Sequence, residues 1–195
     1  MNLNPHWELR GKHALLSPSQ PSWLNYSEEK METVYSNIQA VEMGTRKHAL
    51  AAELISLNEK MPRSKRSLCS YVNDAIGYRM LPEQPLYYSD NCFGTADAIS
   101  FEGNLLRIHD LKTGSHPGKM EQLKIYAALF CLEYGFRPID ISIELRIYQF
   151  DEIAIEIPDY EEIENIMAKI ILLDNVIENS KSSTKGSVSW TKLKR

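Results

Sequence analysis

Asp97, Asp110 and Lys112 are the residues of this chain whose types and spacing could do chemistry. Asp97 sits in Phe93-Gly94-Thr95-Ala96-Asp97-Ala98-Ile99, a stretch that reads as a strand, where an aspartate is disfavoured. Asp110 and Lys112 close a second such stretch, Ile108-His109-Asp110-Leu111-Lys112-Thr113-Gly114. Their two-residue spacing sends both side chains to one face of a strand. If the turn signal Glu102-Gly103-Asn104 pairs the two strands, Asp97 lies beside Asp110. Two carboxylates about 4 Å apart repel by about 4 kcal/mol at an effective dielectric near 20. A shared proton or a neighbouring cation must offset that. A hard divalent ion such as Mg²⁺ does so best, because it prefers oxygen ligands and brings waters and substrate phosphates with it. Lys112 adds a positive charge that can orient or help deprotonate an attacking water and steady the charge developing at phosphorus. The set suits phosphodiester hydrolysis. For these residues alone, the plain alternative is a surface ion pair between Asp110 and Lys112, with Asp97 in a turn.

Such residues need a sheet to hold them, and the patterning predicts one. Residues 1–26 read as irregular. Ser27 can cap a helix with acids in its first turn, running to about Lys60, broken near Gly44 and stopped by Pro62. A short helix is expected over 68–80, then strands near 85–89, 92–101 and 104–112. Helical spacing returns from Met120 to Gly135. Pro138 opens an alternating run through Phe150, a long strand, with Ala154, Ile155 and Ile157 as its hairpin partner. Asp159 caps a last helix carrying Ile163, Ile166, Ile170, Leu173 and Ile177. The expectation is a mixed α/β domain over 27–180 built on a central sheet, followed by a basic tail, 181–195. No internal repeat is visible.

Composition sets outer bounds. At 195 residues, 43% hydrophobic and 25% charged, the chain suits one globular domain. No apolar run approaches the roughly 20 residues a bilayer requires, and the N-terminus lacks a signal-peptide layout, so a cytoplasmic protein with no membrane partner is expected. Cys69, Cys92 and Cys131 are odd in number and far apart, which disfavours disulfides and cysteine-held metal. A net charge of −4 and a pI near 5.8 speak mildly against nucleic acid as a partner. Two local groups run the other way: Lys60, Arg63, Lys65 and Arg66, and a tail carrying Lys181, Lys185, Lys192, Lys194 and Arg195 with no acid. The plain reading of the tail is a solvated segment.

Four motifs in order carry a resemblance. Gly44-Thr45-Arg46-Lys47-His48, Gly94-Thr95-Ala96-Asp97, Asp110-Leu111-Lys112-Thr113-Gly114 and Gln122-Leu123-Lys124-Ile125-Tyr126 together resemble the RecB-like branch of the PD-(D/E)XK nuclease superfamily. Phage exonucleases of the lambda type are distantly similar to that branch. The resemblance implies a restriction-endonuclease-like core, a central mixed sheet flanked by helices. It implies that Asp97, Asp110, the Leu111 carbonyl and His48 ligate Mg²⁺ or Mn²⁺, and that Lys112 serves the water nucleophile. Gln122 and Tyr126, four apart on one helix face, would brace Lys112 or contact the DNA backbone. Each has a plainer reading: His48 as a satisfied core histidine, Tyr126 as core. Glu53 falls on a different helix face from His48, and Glu83, ahead of the strand group, is a weaker supporting candidate. Ala96 stands where the superfamily's name has proline. The four cysteines of iron–sulfur relatives are absent, with Asn25 where one would follow Trp23-Leu24, so a cluster-free version is implied. His13-Ala14-Leu15-Leu16-Ser17-Pro18-Ser19 resembles the N-terminal entry of phage and prophage proteins of this group.

The function so implied is a metal-dependent deoxyribonuclease, an exonuclease or end-processing enzyme of recombination or repair. If it is phage-encoded it would work in the host cytoplasm. Its partners would be DNA, further copies of itself or a recombination protein. No base-reading module is visible. The alternative is a module of the nuclease fold that binds DNA or protein without cleaving. Hydrolysis of free nucleotides fits less well, because no phosphate-cradling glycine-rich loop is present.

Overall fold

β-branched and aromatic residues dominate from Leu81 to Leu111, and this stretch forms three successive antiparallel strands: β1 (Leu81–Ser89), β2 (Cys92–Glu102) and β3 (Leu105–Leu111). The turns between them fall at Asp90-Asn91 and Gly103-Asn104, where Gly103 supplies a left-handed φ of 66°. The structure, a computed structural model, describes residues 4–189, with side chains described through residue 182. A helix, α3 (Met120–Tyr134), follows β3 and is closed by Gly135 in the left-handed conformation. The chain then returns as β4 (Ser142–Gln149), parallel to β3, and turns back as β5 (Glu152–Glu156). The sheet order is β1-β2-β3-β4-β5, so the fold is α/β with a five-stranded mixed sheet, as expected.

Two compact units are distinguished, Met1–Met43 and Gly44–Arg195. The first is irregular but for short 3-10 turns at Trp7–Leu9 and Pro21–Asn25 and the opening turns of α1 (Glu28–Leu57). Ser27 Oγ accepts the Lys30 amide at 3.2 Å, the expected N-cap. In the second unit the sheet is covered on both faces. α3 and α4 (Tyr160–Ser189) bury Leu123, Ala127, Phe130 and Ile163 against Ile99, Leu106, Ile108 and Leu145. The later turns of α1 and α2 (Ser67–Gly77) bury Ala51, Ile55, Tyr71, Val72 and Ala75 against Ala98, Leu111 and Tyr148. Lys124 on α3 clips the outer elements, reaching Glu156 of β5 at 2.6 Å and Glu162 of α4 at 2.7 Å.

Several boundaries differ from expectation for physical reasons. α1 is not broken at Gly44; that residue is buried within a continuous helix, the helix-propensity cost of about 1 kcal/mol being offset by packing. β1 begins at Leu81 rather than 85; it is an edge strand, the position in a sheet that accommodates proline. Pro138 starts a 3-10 turn (Pro138–Asp140), and the strand waits until Ser142. β5 ends at Glu156, leaving Ile157 outside it. α4 continues to Ser189, into the segment expected as tail; residues 190–195 of that segment lie outside the described residues. Among the described residues, no helix is long and apolar enough to cross a membrane.

Candidate functional site

The register lines up three acids on three neighbouring strands. β1 and β2 pair Pro82 with Ala98 and Gln84 with Ala96, which brackets Glu83 opposite Asp97. β2 and β3 pair as far as Ala98 with His109, so the next position sets Asp97 toward Asp110. There the backbone ladder gives way to a side chain: Asp97 Oδ2 accepts the Leu111 amide at 3.0 Å. Neighbouring strands lie about 4.8 Å apart, so the carboxylates are crowded. Glu83 holds a left-handed φ of 49°, a conformation that costs a non-glycine residue on the order of 1–3 kcal/mol.

α1 brings the fourth group. His48 Nδ1 stands 3.2 Å from Asp97 Oδ2, and ligand atoms of His48, Glu83 and Asp97 all lie within 4.8 Å of one another. Asp97 holds the His48 pKa above its ordinary 6.5, chiefly through that hydrogen bond. Glu83 is raised by partial burial and then by Asp97. Glu83 thus stands closer to the centre than its sequence context suggested. The signal was an acid two residues before a strand-like run, masked by the two prolines beside it. Glu53 is not among these grouped residues.

Asp110 is 3% exposed, and its pKa is raised, first by burial and second by Asp97. Lys112 Nζ sits 3.0 Å from each of its oxygens, donating to Oδ1 and forming the ion pair with Oδ2. Lys112 donates in turn to Gln122 Oε1 at 2.8 Å, and Gln122 Nε2 reaches the Tyr126 hydroxyl at 3.4 Å. Asp110, Lys112, Gln122 and Tyr126 therefore form one chain of contacts from β3 to α3. Asp110 does not join the His48–Glu83–Asp97 group within that 4.8 Å span. Leu111 enters through its amide, bonded to Asp97.

Three glycines let the motif elements approach. A Cβ on Gly44 would stand 2.7 Å from Thr113 Oγ1, one on Gly94 2.9 Å from the Tyr126 ring, and one on Gly118 2.9 Å from Lys112 Cγ. The Gly114–Gly118 loop is pinned by Gln149, which sequence reasoning passed over as a strand residue. Gln149 is 8% exposed. Its Nε2 donates to the Gly114 and His116 carbonyls at 2.8 Å each, and its Oε1 accepts the Gly118 amide at 2.8 Å. On the opposite sheet face, Tyr148 donates to Asp74 at 2.8 Å and lies 3.2 Å from His109 Nδ1. Its single hydroxyl proton being spent on Asp74, His109 must be the donor through Nδ1, which leaves Nε2 buried and unpartnered. Burial, then Arg146 and Arg107, lower the His109 pKa to about 3, so this histidine is neutral.

No protein-family model matches the chain, and no curated protein matches it.

Proposed function

We propose that this chain is a divalent-metal-dependent deoxyribonuclease of the RecB-like PD-(D/E)XK kind, acting on linear DNA as an exonuclease or end-processing enzyme. The observation that carries it is the row of Glu83, Asp97 and Asp110 on adjacent strands, with the buried Asp110 carboxylate paired to Lys112. Crowded carboxylates are a donor set for a hard cation. Asp97, Asp110, Glu83 and His48 would hold Mg²⁺ or Mn²⁺, which when bound polarises the scissile phosphate and acidifies a water. Lys112, fixed between Asp110 and Gln122, presents a positive charge toward a phosphoryl group entering there and neutralises charge that grows on its oxygens. Gln122 and Tyr126 hold the ammonium in place, and Gln149 holds the loop that packs on its stem. The intact Asp-Asp-Lys-Gln set supports cleavage over a fold retained only for binding.

Incubating the purified protein with end-labelled linear DNA and Mg²⁺ or Mn²⁺ tests this reading. Cleavage should appear with metal, vanish with chelator, and be lost in Asp110→Ala and Lys112→Ala. DNA binding without any metal-dependent cleavage would instead favour the binding-module reading.

A further inference from the structure

Cations in the Gly44–Arg195 unit fall into two classes by their neighbours. Those on the sheet and on α3 and α4 are mostly neutralised: Arg107 by Glu144, Lys124 by Glu156 and Glu162, Arg146 by Asp74 and Glu144. The loop between α1 and α2 is different. Lys60, Arg63, Lys65 and Arg66 are all exposed, and none of them figures in an ion pair among the described residues. Four like charges crowded on one short loop repel each other, so an unoccupied loop of this composition is electrostatically unfavourable and attracts a polyanion.

The loop is also built and placed. Asn73 on α2 holds it by a reciprocal pair, accepting the Met61 amide at 2.9 Å and donating to the Met61 carbonyl at 3.0 Å. Just past it, Ser67 and Asp151 bond reciprocally: the Ser67 amide gives to Asp151 Oδ1 at 2.9 Å, and the Asp151 amide to Ser67 Oγ at 2.8 Å. Asp151 lies in the β4–β5 turn, directly beyond the end of β4 that pairs with Leu111 and receives the Lys112 amide through Tyr148. The end of the basic loop is therefore anchored just beyond the C-terminal end of β4, the strand that runs parallel beside β3 and its Asp110.

We infer that the 60–66 loop is a phosphate-binding ledge that grips the nucleic-acid backbone away from the scissile bond, making a polymer and not a free nucleotide the substrate. This rests on the phosphodiesterase reading of the Asp97–Asp110–Lys112 centre. Polyphosphate contacts away from the reacting phosphate raise affinity without touching the chemistry.

The experiment compares wild type with Arg63→Ala/Lys65→Ala/Arg66→Ala. Binding of a labelled DNA is followed by fluorescence anisotropy in metal-free buffer between about 50 and 200 mM salt, where each neutralised phosphate contributes a log–log slope of about −0.7 to −0.9. The variant should lose about two units of slope, keep its melting temperature, hydrolyse a small chromogenic phosphodiester at the wild-type rate, and show a raised KM on long DNA. A free nucleoside monophosphate should bind both proteins alike. An unchanged slope and KM would overturn the ledge, even if wild type cleaves DNA. Loss of mononucleotide binding in the variant would overturn the polymer reading in favour of an isolated anion site. If wild type hydrolyses neither substrate, the nuclease reading fails, while the salt slope still reports on the ledge.

Discussion

Lys112 has three neighbours that fix it, Asp110, Gln122 and the backbone at Gly118, and each makes a separable prediction. Lys112→Met should lower single-turnover DNA cleavage by about 10²–10³-fold, the scale of one preorganised charge donor, with the fold intact by circular dichroism. Cleavage at the wild-type rate would remove Lys112 from the chemistry. Gln149→Met leaves the Gly114 and His116 carbonyls and the Gly118 amide without their partner. It should cost about 1–3 kcal/mol in denaturant unfolding and lower kcat more than it raises KM, since the loop it holds packs on Lys112 and not on the path of the polymer. Strand parity and one turn signal were enough to group Asp97, Asp110 and Lys112 from consecutive residues, whereas Gln122 and Tyr126 came only through the motif resemblance. Gln149 was not legible, because its role exists only through carbonyls brought to it from a loop more than thirty residues earlier in the chain.

α1 shows how a single missing Cβ sets where a whole helix sits. Gly44 reads as a helix breaker, yet the helix passes through it and lies against Thr113, so His48 reaches Asp97. Gly44→Ala should gain up to about 1 kcal/mol of helix propensity while forcing Thr113 or the helix aside. Activity is expected to fall although stability changes little. Adding Thr113→Ala removes the oxygen that the new methyl meets and should restore part of the lost activity. If the double variant is no better than the single, the close approach is not what Gly44 serves. The meander β1–β3 was legible from its turn residues, whereas the start of β1 was not, because Pro82 and Pro85 argue against a strand until its edge position is known. The same prolines kept Glu83 out of the expected centre.

The whole molecule should carry the site's electrostatics in its stability. His48, Glu83 and Asp110 all have pKa values raised in the fold, so each favours its protonated form. The stability each contributes is full below its unfolded value and is lost as pH rises through the folded one. His109, lowered to about 3, acts oppositely: its contribution is present above 6.5 and is lost as pH falls. Above pH 6.5 the His109 contribution is constant, and the loss of the His48 proton should lower the metal-free melting temperature as pH rises further. Mn²⁺ or Mg²⁺ should reverse that fall, with a metal-induced shift that grows with pH, because the ligands must shed protons to bind. A metal shift independent of pH would contradict the ligand set. The order of strands has a kinetic consequence as well. Glu83, Asp97 and Asp110 lie on three strands joined by two tight turns, whereas the β3–β4 pairing must wait for α3 to close a long crossover. Short loops close early in folding, so mutual repulsion of the acids burdens the nucleus itself. A divalent cation should therefore speed the refolding arm of the chevron and not merely slow unfolding, which would make the ion a participant in how this chain finds its structure.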